Sequence, residues 1–415
     1  MSHSEALKVN ELSPELQVLT IRNRFLEIFE HDPLLIRSPG RINLIGEHTD
    51  YNEGFVMPAA IDRDLVFAIG WADESDATLY SVNHDEFVRF DVADPKKITK
   101  PFWANYLLGV ARQFVDRGYP VKPFHCVVGG NVPTGAGLSS SAALECGFAF
   151  ALNHLHSFNI PTLELIHIAQ WAEHHFVGVK CGIMDQFASM MGKEEMAIVL
   201  DCRSLSYAYL PIDLKDYSIV LCDTMVKHSL ADSAYNKRRQ ECETGISILK
   251  KSFPNIQSLR DVSLDMLEKH RDAFTEKVLN RCTYVVQENN RVLAAAEDLR
   301  IGDLESFGQK MYATHEGLSS QYEVSCAELD FLVNEAKKLH GVIGSRMMGG
   351  GFGGCTINIV LKNEIDSFIS TLRDAYYKNF HHEMNSYVVA IKGGTSVISL
   401  STDQIKGINI SPTKQ

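Results

Sequence analysis

The sequence lacks the paired cysteines of a disulfide-rich protein. Its nine cysteines are scattered and odd in number, with no Cys-x-x-Cys pair, so we expect buried or semi-buried thiols in a reducing compartment. The first residues also lack a basic n-region and an apolar h-region, and no later run approaches membrane-spanning length. We therefore expect a cytoplasmic protein that has no membrane partner.

Positive charge is in deficit as well. Forty lysine and arginine residues stand against fifty-two aspartate and glutamate residues, which gives a net charge of −12. This balance disfavours generic binding to nucleic acid or to an anionic membrane. The chain does have length and apolar content: 415 residues, 45% of them hydrophobic, predict a globular protein of two lobes that share a cleft.

The common nucleotide-binding loop is also missing, because no Gly-x-x-x-x-Gly-Lys-Ser/Thr occurs. Residues 133–141, here called the serine loop, instead carry two glycines and then three serines, followed by an apolar stretch of helical length. Glycines let the backbone approach an anion, and the first amides of a helix donate to it, so this loop predicts phosphate binding. A cation from elsewhere must then supply the charge. The alternative is a helix that Ser139 merely caps.

Residues 40–54 concentrate hydrogen-bonding side chains beside apolar ones. They read Gly-Arg-Ile-Asn-Leu-Ile-Gly-Glu-His-Thr-Asp-Tyr-Asn-Glu-Gly. This pattern favours a strand that feeds a turn, with polar groups that converge on a small ligand rich in hydroxyls. The alternative is an exposed loop with a salt bridge.

Residues 347–356, here called the glycine-rich loop, form the third unusual segment. Gly349, Gly351 and Gly354 satisfy Gly-x-Gly-x-x-Gly, but a strand-like run follows them, whereas the dinucleotide fingerprint needs a helix there. We therefore reject a dinucleotide site. Contact with a ligand or with another glycine loop would justify so many glycines, and the alternative is a flexible turn between a helix and a strand.

Together the three segments resemble the galactokinase family of the GHMP small-molecule kinase superfamily. Further stretches resemble the family in the expected order, at residues 171–175, 181–187, 201–204 and 228–239. The resemblance implies phosphoryl transfer from ATP to the anomeric hydroxyl of α-D-galactose, the first step of galactose catabolism in the Leloir pathway. It implies Mg²⁺ as cofactor and galactose and ATP as small-molecule partners. We expect a monomer that binds no nucleic acid.

The resemblance also implies the fold: an α+β, two-lobed GHMP kinase fold with mixed sheets and helices and with the active site in the cleft between the lobes. We predict an N-terminal lobe at residues 1–206, which holds the sugar signature and the serine loop. The C-terminal lobe, residues 207–415, holds the glycine-rich loop. The last residues are expected to pack back on the N-terminal lobe.

Local patterns predict a coarse secondary structure. Ser13 caps a helix that Pro14 opens and that ends before His31. Further helices are predicted at residues 103–114, 142–152 and 163–176 and over most of 236–340. Strands are predicted at residues 65–69, 77–81, 87–90, 197–200, 207–210 and 217–222.

Two residues carry the chemistry in the family pattern. Asp185, predicted in the first turn of a helix, resembles the family aspartate beside the anomeric hydroxyl, where a carboxylate could accept or orient the proton. Arg41 resembles the arginine that faces this aspartate, and it would supply the missing cation. The alternatives are a helix cap for Asp185 and, for Arg41, a structural ion pair with Glu47 or Asp50.

The remaining site residues follow from the resemblance in the same way. Sugar binding is implied for Glu47, His48, Asp50, Gly182, Asp185 and Tyr235. ATP binding is implied for Trp103, Gly135, Ala136, Gly137, Leu138, Ser139, Ser140 and Ser141. Metal binding is implied for Ser141 and Glu173. A core histidine, a core tryptophan and a solvated glutamate are the alternatives for His48, Trp103 and Glu173.

Two other functions are compatible with this sequence. One is an N-acetylgalactosamine kinase, whose pocket must admit an acetamido group at C2. The other is a non-catalytic galactose and ATP sensor that binds a transcriptional repressor. Sensors of this type can lack residues of the serine loop, whereas Ser139, Ser140 and Ser141 are all present, and this favours catalysis.

Overall fold

A computed structural model describes residues 9–226 and 231–400 of the chain. Its helices are α1 (Pro14–Phe29), α2 (Ala104–Asp116), α3 (Ser140–His156), α4 (Thr162–Ala172), α5 (Met184–Met191), α6 (Ala231–Leu249), α7 (Leu264–Lys269), α8 (Glu276–Ile301), α9 (Leu304–Glu316), α10 (Ala327–Ala336) and α11 (Ile365–Phe380). Its strands are β1 (Leu34–Asn43), β2 (Phe55–Val56), β3 (Pro58–Trp71), β4 (Asp76–Ser81), β5 (Glu86–Asp91), β6 (Phe124–Gly130), β7 (Met196–Asp201), β8 (Tyr207–Pro211), β9 (Tyr217–Asp223), β10 (Val342–Met347), β11 (Cys355–Leu361), β12 (Asn385–Val389) and β13 (Ser396–Val397).

The first sheet has six strands in the order β13-β1-β3-β6-β4-β5, with β4 and β6 parallel and the other neighbours antiparallel. Successive side chains of β3 point to opposite faces of this sheet, and helices cover both faces. Phe67 and Ile69 pack into the core that holds α2, α3, α4 and α5, whereas Val66 and Ala68 pack on the opposite side, against α1. Helix α5 lies over β1 and β3.

The second sheet is antiparallel, in the order β10-β11-β9-β12. Val220 and Cys222 of β9 face α10 and α11, while Ile219 and Leu221 face a central core. That core also contains Ile42 of β1, so it joins the two sheets. A third sheet, β2-β7-β8, completes the set. Helices with one mixed and two antiparallel sheets confirm the predicted α+β class.

Most predicted elements are confirmed. Helix α1 begins at Pro14, where the Ser13 side chain accepts from the Leu16 amide, and it ends before His31. One alternative is wrong: the glycine-rich loop does not follow a helix, because β10 precedes it and pairs with β11 to form a hairpin. The lobe boundary between residues 206 and 207 stays a prediction. No helix in the described residues is long and apolar enough to cross a membrane.

The chain returns to the first sheet after β12. Strand β13 pairs with β1, and just before it Thr395 Oγ1 donates to the Ser189 carbonyl oxygen of α5 at 3.0 Å. The hydroxyl of Ser38 on β1 lies 3.0 Å from that of Thr395 and 3.3 Å from that of Ser189. We call residues 391–397 the C-terminal strap. It ties β1 to α5 behind the site described next.

Candidate active site

Arg41 and Asp185 form the centre of the site. Arg41 lies on β1. Its side chain donates from Nε to Asp185 Oδ1 at 2.8 Å and from Nη2 to Asp185 Oδ2 at 3.0 Å. Its third nitrogen, Nη1, donates to the Gly137 carbonyl oxygen of the serine loop at 2.6 Å. Arg41 therefore ties β1, α5 and the serine loop together. The alternative partners for this ion pair, Glu47 and Asp50, are not the ones it bonds.

Arg41 is protonated and positively charged in this site. Burial by itself would lower its pKa, but the charges of Asp185 and Glu47 outweigh burial and raise the pKa above its usual value. A bidentate pair with a carboxylate also fixes the plane of the guanidinium group. The site thus holds a permanent cation beside the Asp185 carboxylate.

Ser139 is a third member of this centre. Its φ of 56° and ψ of 50° place it in the left-handed region, and its side chain does not cap α3. Instead its Oγ donates to Asp185 Oδ2 at 2.5 Å. The capping alternative for Ser139 is therefore wrong, since the backbone turns the hydroxyl toward α5.

A cavity of about 110 Å³, here called the acidic pocket, opens beside this centre. Its lining includes seven of the residues that sequence reasoning proposed for the site, namely Arg41, Glu47, His48, Asp50, Glu173, Asp185 and Tyr235. Gly182 is not in that lining and borders a neighbouring cavity instead. A Cβ on Gly182 would lie 2.0 Å from Asp50 Oδ2, so the glycine makes room for the Asp50 carboxylate.

Glu47 is anchored from the opposite lobe. Its Oε1 accepts from Arg346 Nη1 at 3.1 Å and from the Gly349 amide at 2.8 Å. Arg346 is fully buried on β10 and also donates to the carbonyl oxygens of Leu44, Met347 and Asn43. Sequence reasoning missed Arg346. The only available signal was an arginine directly before the glycine-rich loop.

Burial shifts two titrating groups of the acidic pocket in opposite senses. It raises the pKa of Asp50 to about 7, and the nearby charge of Asp185 adds to the effect. Burial lowers the pKa of His48 to about 3, with a further contribution from the charge of Arg238. At neutral pH His48 is therefore an uncharged ring, and Asp50 is close to its point of half-protonation.

A second cavity, of about 320 Å³, lies at the start of α3 and is here called the serine-loop cavity. Ser140, Ser141 and Trp103 line it, together with His84 and Tyr106, which sequence reasoning missed. The spacing of Tyr106 three residues after Trp103 on a predicted helix was the available signal. Trp103 is only partly buried, and its Nε1 donates to Glu86 Oε2 at 2.7 Å.

The serine loop presents its backbone rather than its apolar side chains. Gly135 and Gly137 have φ of 81° and 77°, a region that favours glycine. Ala136 and Leu138 are 1% exposed and belong to the central core. Neither residue lines the serine-loop cavity, and only the main chain of each is left to contact a ligand.

The two glycine loops lie against each other. A Cβ on Gly349 would lie 3.3 Å from Gly137 Cα, and one on Gly137 would lie 3.1 Å from the Met348 carbonyl oxygen. Gly354 packs in the same way on Ala136. The expectation that one glycine loop packs on another is confirmed.

Glu173 connects the two cavities. It lies in a π-helical turn after α4, and its Oε2 accepts from Gln186 Nε2 at 2.8 Å. Burial, and then the charge of Asp185, raise its pKa to about 7, while a hydrogen bond from Ser141 acts against the rise. The Gln186 amide also reaches the fully buried Glu145, whose Oε1 has no partner among the described residues. Glu173 is therefore no solvated glutamate on a helix face.

The described residues contain no cluster of three or more His, Cys, Asp or Glu side chains arranged to hold a metal ion. Any ion bound near Ser141 and Glu173 would take few ligands from the protein. Mg²⁺ is usually held in this way, because it keeps several waters and takes one or two carboxylates together with phosphate oxygens.

Known sequence families match the chain in three places. The galactokinase galactose-binding signature matches residues 23–70, the GHMP kinase N-terminal domain matches residues 105–193, and the GHMP kinase C-terminal domain matches residues 295–378. These matches contain or border the three segments that sequence reasoning singled out.

Curated relatives and solved structures agree with these matches. The chain is 42% identical to a galactokinase of Thermotoga neapolitana, over 88% of this chain and 99% of that one, and 40% identical to a galactokinase of Chloroflexus aurantiacus, over 94% and 100%. The structure of Lactococcus lactis galactokinase in complex with galactose superposes with a TM-score of 0.88 at 35% identity, covering 92% of this chain and 99% of that one. A mevalonate kinase structure shares the fold, with a TM-score of 0.60 at 16% identity. The chain belongs to the galactokinase family of the GHMP kinases.

Proposed function

We propose that this chain transfers the terminal phosphoryl group of ATP to the C1 hydroxyl of α-D-galactose, releasing galactose 1-phosphate and ADP. A bond forms between the sugar oxygen and phosphorus, the bond from phosphorus to the ADP oxygen breaks, and the sugar hydroxyl loses its proton. One observation carries the proposal: hydrogen bonds join the two cavities. Ser139 donates to Asp185 of the acidic pocket, and Ser141 of the serine-loop cavity is hydrogen-bonded to Glu173 of the acidic pocket. A hydroxyl held in one cavity can therefore face a phosphate held in the other.

Asp185 orients the sugar hydroxyl and accepts its proton. Its side chain is 24% exposed and lines the acidic pocket, so a bound sugar can reach it. The transition state of phosphoryl transfer is loose, so positioning matters more than base strength. Arg41 supplies the positive charge that the serine loop lacks and stabilises the transferring group.

Sugar recognition falls to Glu47, His48, Asp50 and Tyr235. Glu47 and His48 are buried at the acidic pocket and Asp50 and Tyr235 are partly buried there, so an epimer that leaves one of them without a partner loses binding sharply. Gly182 contributes by leaving space for Asp50. This arrangement supports discrimination against glucose, the C4 epimer of galactose.

ATP binding falls to the serine loop and to Trp103. The backbone of residues 135–138 and the hydroxyls of Ser139, Ser140 and Ser141 surround the start of α3, where the free amides and the helix dipole favour phosphate. Trp103 lies in the same cavity and offers a ring for adenine.

Ser141 and Glu173 would hold the Mg²⁺ ion that accompanies ATP. Both offer the hard oxygen donors that this ion requires, and they already contact each other. Behind Glu173, Glu145 adds a buried oxygen without a partner among the described residues. Burial raises the pKa of the Glu145 carboxyl group, and a nearby cation would favour its ionised form. When bound, the ion would neutralise phosphate charge.

The protein is further proposed to be a cytoplasmic monomer. All nine cysteines are free, as they would be in a reducing compartment. Size-exclusion chromatography with light scattering checks the oligomeric state, and a mass near 46.4 kDa is expected.

ADP release with galactose, glucose, mannose and N-acetylgalactosamine, measured in parallel with ATP and Mg²⁺, tests the function. We expect galactose to be preferred strongly over glucose and mannose. Preference for glucose would overturn the epimer assignment, and preference for N-acetylgalactosamine would identify the alternative kinase. Tight galactose binding without any turnover would identify a sensor.

A further inference from the structure

Four side chains form a hydrogen-bonded chain that leads from the acidic pocket into the interior. His48 Nδ1 lies 2.8 Å from Tyr51 Oη, Tyr51 Oη lies 2.7 Å from Tyr322 Oη, and Tyr322 Oη lies 3.2 Å from Cys242 Sγ. Tyr322 and Cys242 are buried, and Tyr51 is half-buried. Bulk water therefore does not replace these contacts, and each one constrains the next.

The second ring nitrogen of His48 is left for a ligand. Nε2 is buried and has no hydrogen-bond partner in the part of the chain that the structure describes, although His48 lines the acidic pocket. The ring is uncharged at neutral pH, so it carries one proton, on either Nδ1 or Nε2. The hydrogen bond at Nδ1 decides whether Nε2 donates or accepts.

The chain can run in two directions, because each phenol has a single proton to donate. In one direction Cys242 donates to Tyr322, Tyr322 to Tyr51, and Tyr51 to His48 Nδ1, which leaves the imidazole proton on Nε2. In the other direction Nδ1 donates to Tyr51, and Nε2 is a bare acceptor.

The relative donor and acceptor strengths of the Tyr51–His48 pair favour the direction toward His48. A phenol hydroxyl is a better donor than a neutral imidazole N–H, and an imidazole nitrogen is a better acceptor than a phenol oxygen. Because Tyr51 then donates to Nδ1, the imidazole proton belongs on Nε2.

We propose that Tyr51 and Tyr322 are positioning residues that fix His48 as an Nε2–H hydrogen-bond donor to one hydroxyl oxygen of the sugar. Besides Arg41 and Tyr235, the acidic pocket presents mainly carboxyl groups, which accept when ionised, namely those of Glu47, Asp50, Glu173 and Asp185. A hydroxyl between a carboxylate and His48 donates to the first and accepts from the second, so both partners are satisfied. The identity of the ligand rests on the proposed function, whereas the tautomer of His48 does not.

The tautomer can be read directly in the free protein. Protein labelled with ¹⁵N-histidine gives ring nitrogen resonances that separate Nδ1–H from Nε2–H, and His48→Gln identifies the signals of this residue. We expect a neutral ring with the proton on Nε2, retained when galactose is added. A proton on Nδ1 or a charged ring would overturn the proposal, even in a fully active galactokinase. A failed sugar assay with the expected tautomer would instead count against the proposed function.

Kinetics of matched tyrosine variants test the positioning role. Tyr51→Phe removes the donor at Nδ1 and should raise the KM for galactose about tenfold, with kcat within about twofold. Tyr322→Phe should act in the same direction but less. Tyr312→Phe is the control, because Tyr312 Oη is buried without a hydrogen-bond partner among the described residues, and it should change neither constant.

Two results of that experiment would contradict the proposal. One is an unchanged KM in both Tyr51→Phe and Tyr322→Phe, and the other is an equal loss in kcat and in kcat/KM. Thermal unfolding of each variant separates these results from loss of the fold. If Tyr51→Phe does not fold, the wild-type tautomer and the KM of Tyr322→Phe decide the question.

Discussion

In the acidic pocket, polar side chains are held by other side chains of the interior, whereas in the serine-loop cavity the protein offers mostly backbone. Glu47 is bonded to Arg346 and to the Gly349 amide, and His48 to Tyr51. The serine loop instead depends on glycines with positive φ and on Ser139, which also has positive φ. The acidic pocket is held by hydrogen bonds between buried side chains, whereas the serine loop is shaped by its main-chain conformation.

This difference predicts different costs for mutation. Removing a group from the acidic pocket leaves a buried partner unsatisfied, so both stability and sugar binding suffer. Changing the hydroxyl of Ser139 or Ser141 removes one donor from Asp185 or Glu173, but each of these carboxyl groups keeps another donor, so the effect falls mainly on phosphate handling. The difference also matches the ligands, because sugar hydroxyls need directional partners, whereas phosphate is well served by amides and positive charge.

The largest effect is expected where the acidic pocket meets the serine loop. Asp185→Asn keeps the shape of the side chain but removes the carboxylate that we propose accepts the sugar proton, so kcat should fall about a thousandfold while galactose binding stays measurable. Coupled ADP assays and calorimetry check the two quantities. The control is Asp116→Asn, which loses an exposed pair with Arg112 and should keep normal turnover. Near-normal kcat in Asp185→Asn would remove the catalytic role.

Arg346→Met tests the interior support of the acidic pocket. The substitution leaves Glu47 and three carbonyl oxygens without their buried donor, so we expect the free energy of unfolding to fall by about 3–5 kcal/mol. Urea denaturation measures the change. Arg300→Met, which breaks an exposed pair with Glu297, should change stability by less than about 1 kcal/mol. Equal losses of stability in Arg346→Met and Arg300→Met would contradict the claim that buried side-chain hydrogen bonds support the acidic pocket.

Asp50→Asn tests the electrostatic cost of the same pocket through pH. The carboxyl of Asp50 ionises near pH 3.8 in the unfolded chain and near pH 7 in the folded protein. Between these values the unfolded state has lost the proton and the folded state still holds it, so stability falls as pH rises and is then constant above about pH 7. The stability of Asp50→Asn should lack this slope. The free energy of unfolding of the variant should therefore rise relative to that of the wild type as the pH increases from about 4 to 7.

Asp261→Asn is a control of opposite sign for that experiment. Its salt bridge with Arg203 lowers the pKa of Asp261 to about 2, so the carboxylate stabilises the fold above about pH 4 and loses this contribution as pH falls toward 2. Denaturant melts at several pH values give both slopes. A wild type and an Asp50→Asn variant with parallel profiles from pH 4 to 7 would contradict the assignment for Asp50.

The smallest effect is expected at Ser139, where backbone and hydroxyl can be separated. Both Ser139→Ala and Ser139→Gly lose the hydrogen bond to Asp185, so kcat/KM should fall about tenfold in each. Only glycine relieves the left-handed backbone, so Ser139→Gly should be more stable than Ser139→Ala by about 1 kcal/mol. Thermal unfolding and the ADP assay check the pair. Equal stability of the two variants would show that the turn is not strained.

Much of the site could be predicted because its residues cluster in the sequence. The serine loop and residues 40–54 carry their chemistry within short stretches, where turn and helix-start signals are strong. The start of α5 at Met184, with Asp185 in its first turn, follows from the same kind of signal.

Other features could not be predicted, because they depend on contacts between distant parts of the chain. Arg346 meets Glu47 across 299 residues, and Tyr322 meets Tyr51 across 271. Neither residue lies in a motif of its own. The left-handed turn at Ser139 also defeats a local rule, since the capping preference of serine is overridden by the bond to Asp185.

The C-terminal strap has a consequence for biosynthesis. Ser38 and Thr395, which are hydrogen-bonded to each other next to α5, are 357 residues apart. Because a ribosome adds about 5–20 residues per second, Thr395 is synthesised roughly 20 to 70 s after Ser38. Until then one edge of β1 is unpaired, and such an edge can pair with strands of other chains. A nascent molecule therefore cannot complete the layer of β1, α5 and β13 before the codons of residues 395–397 have been translated, and aggregation through the free edge of β1 would begin on crowded polysomes.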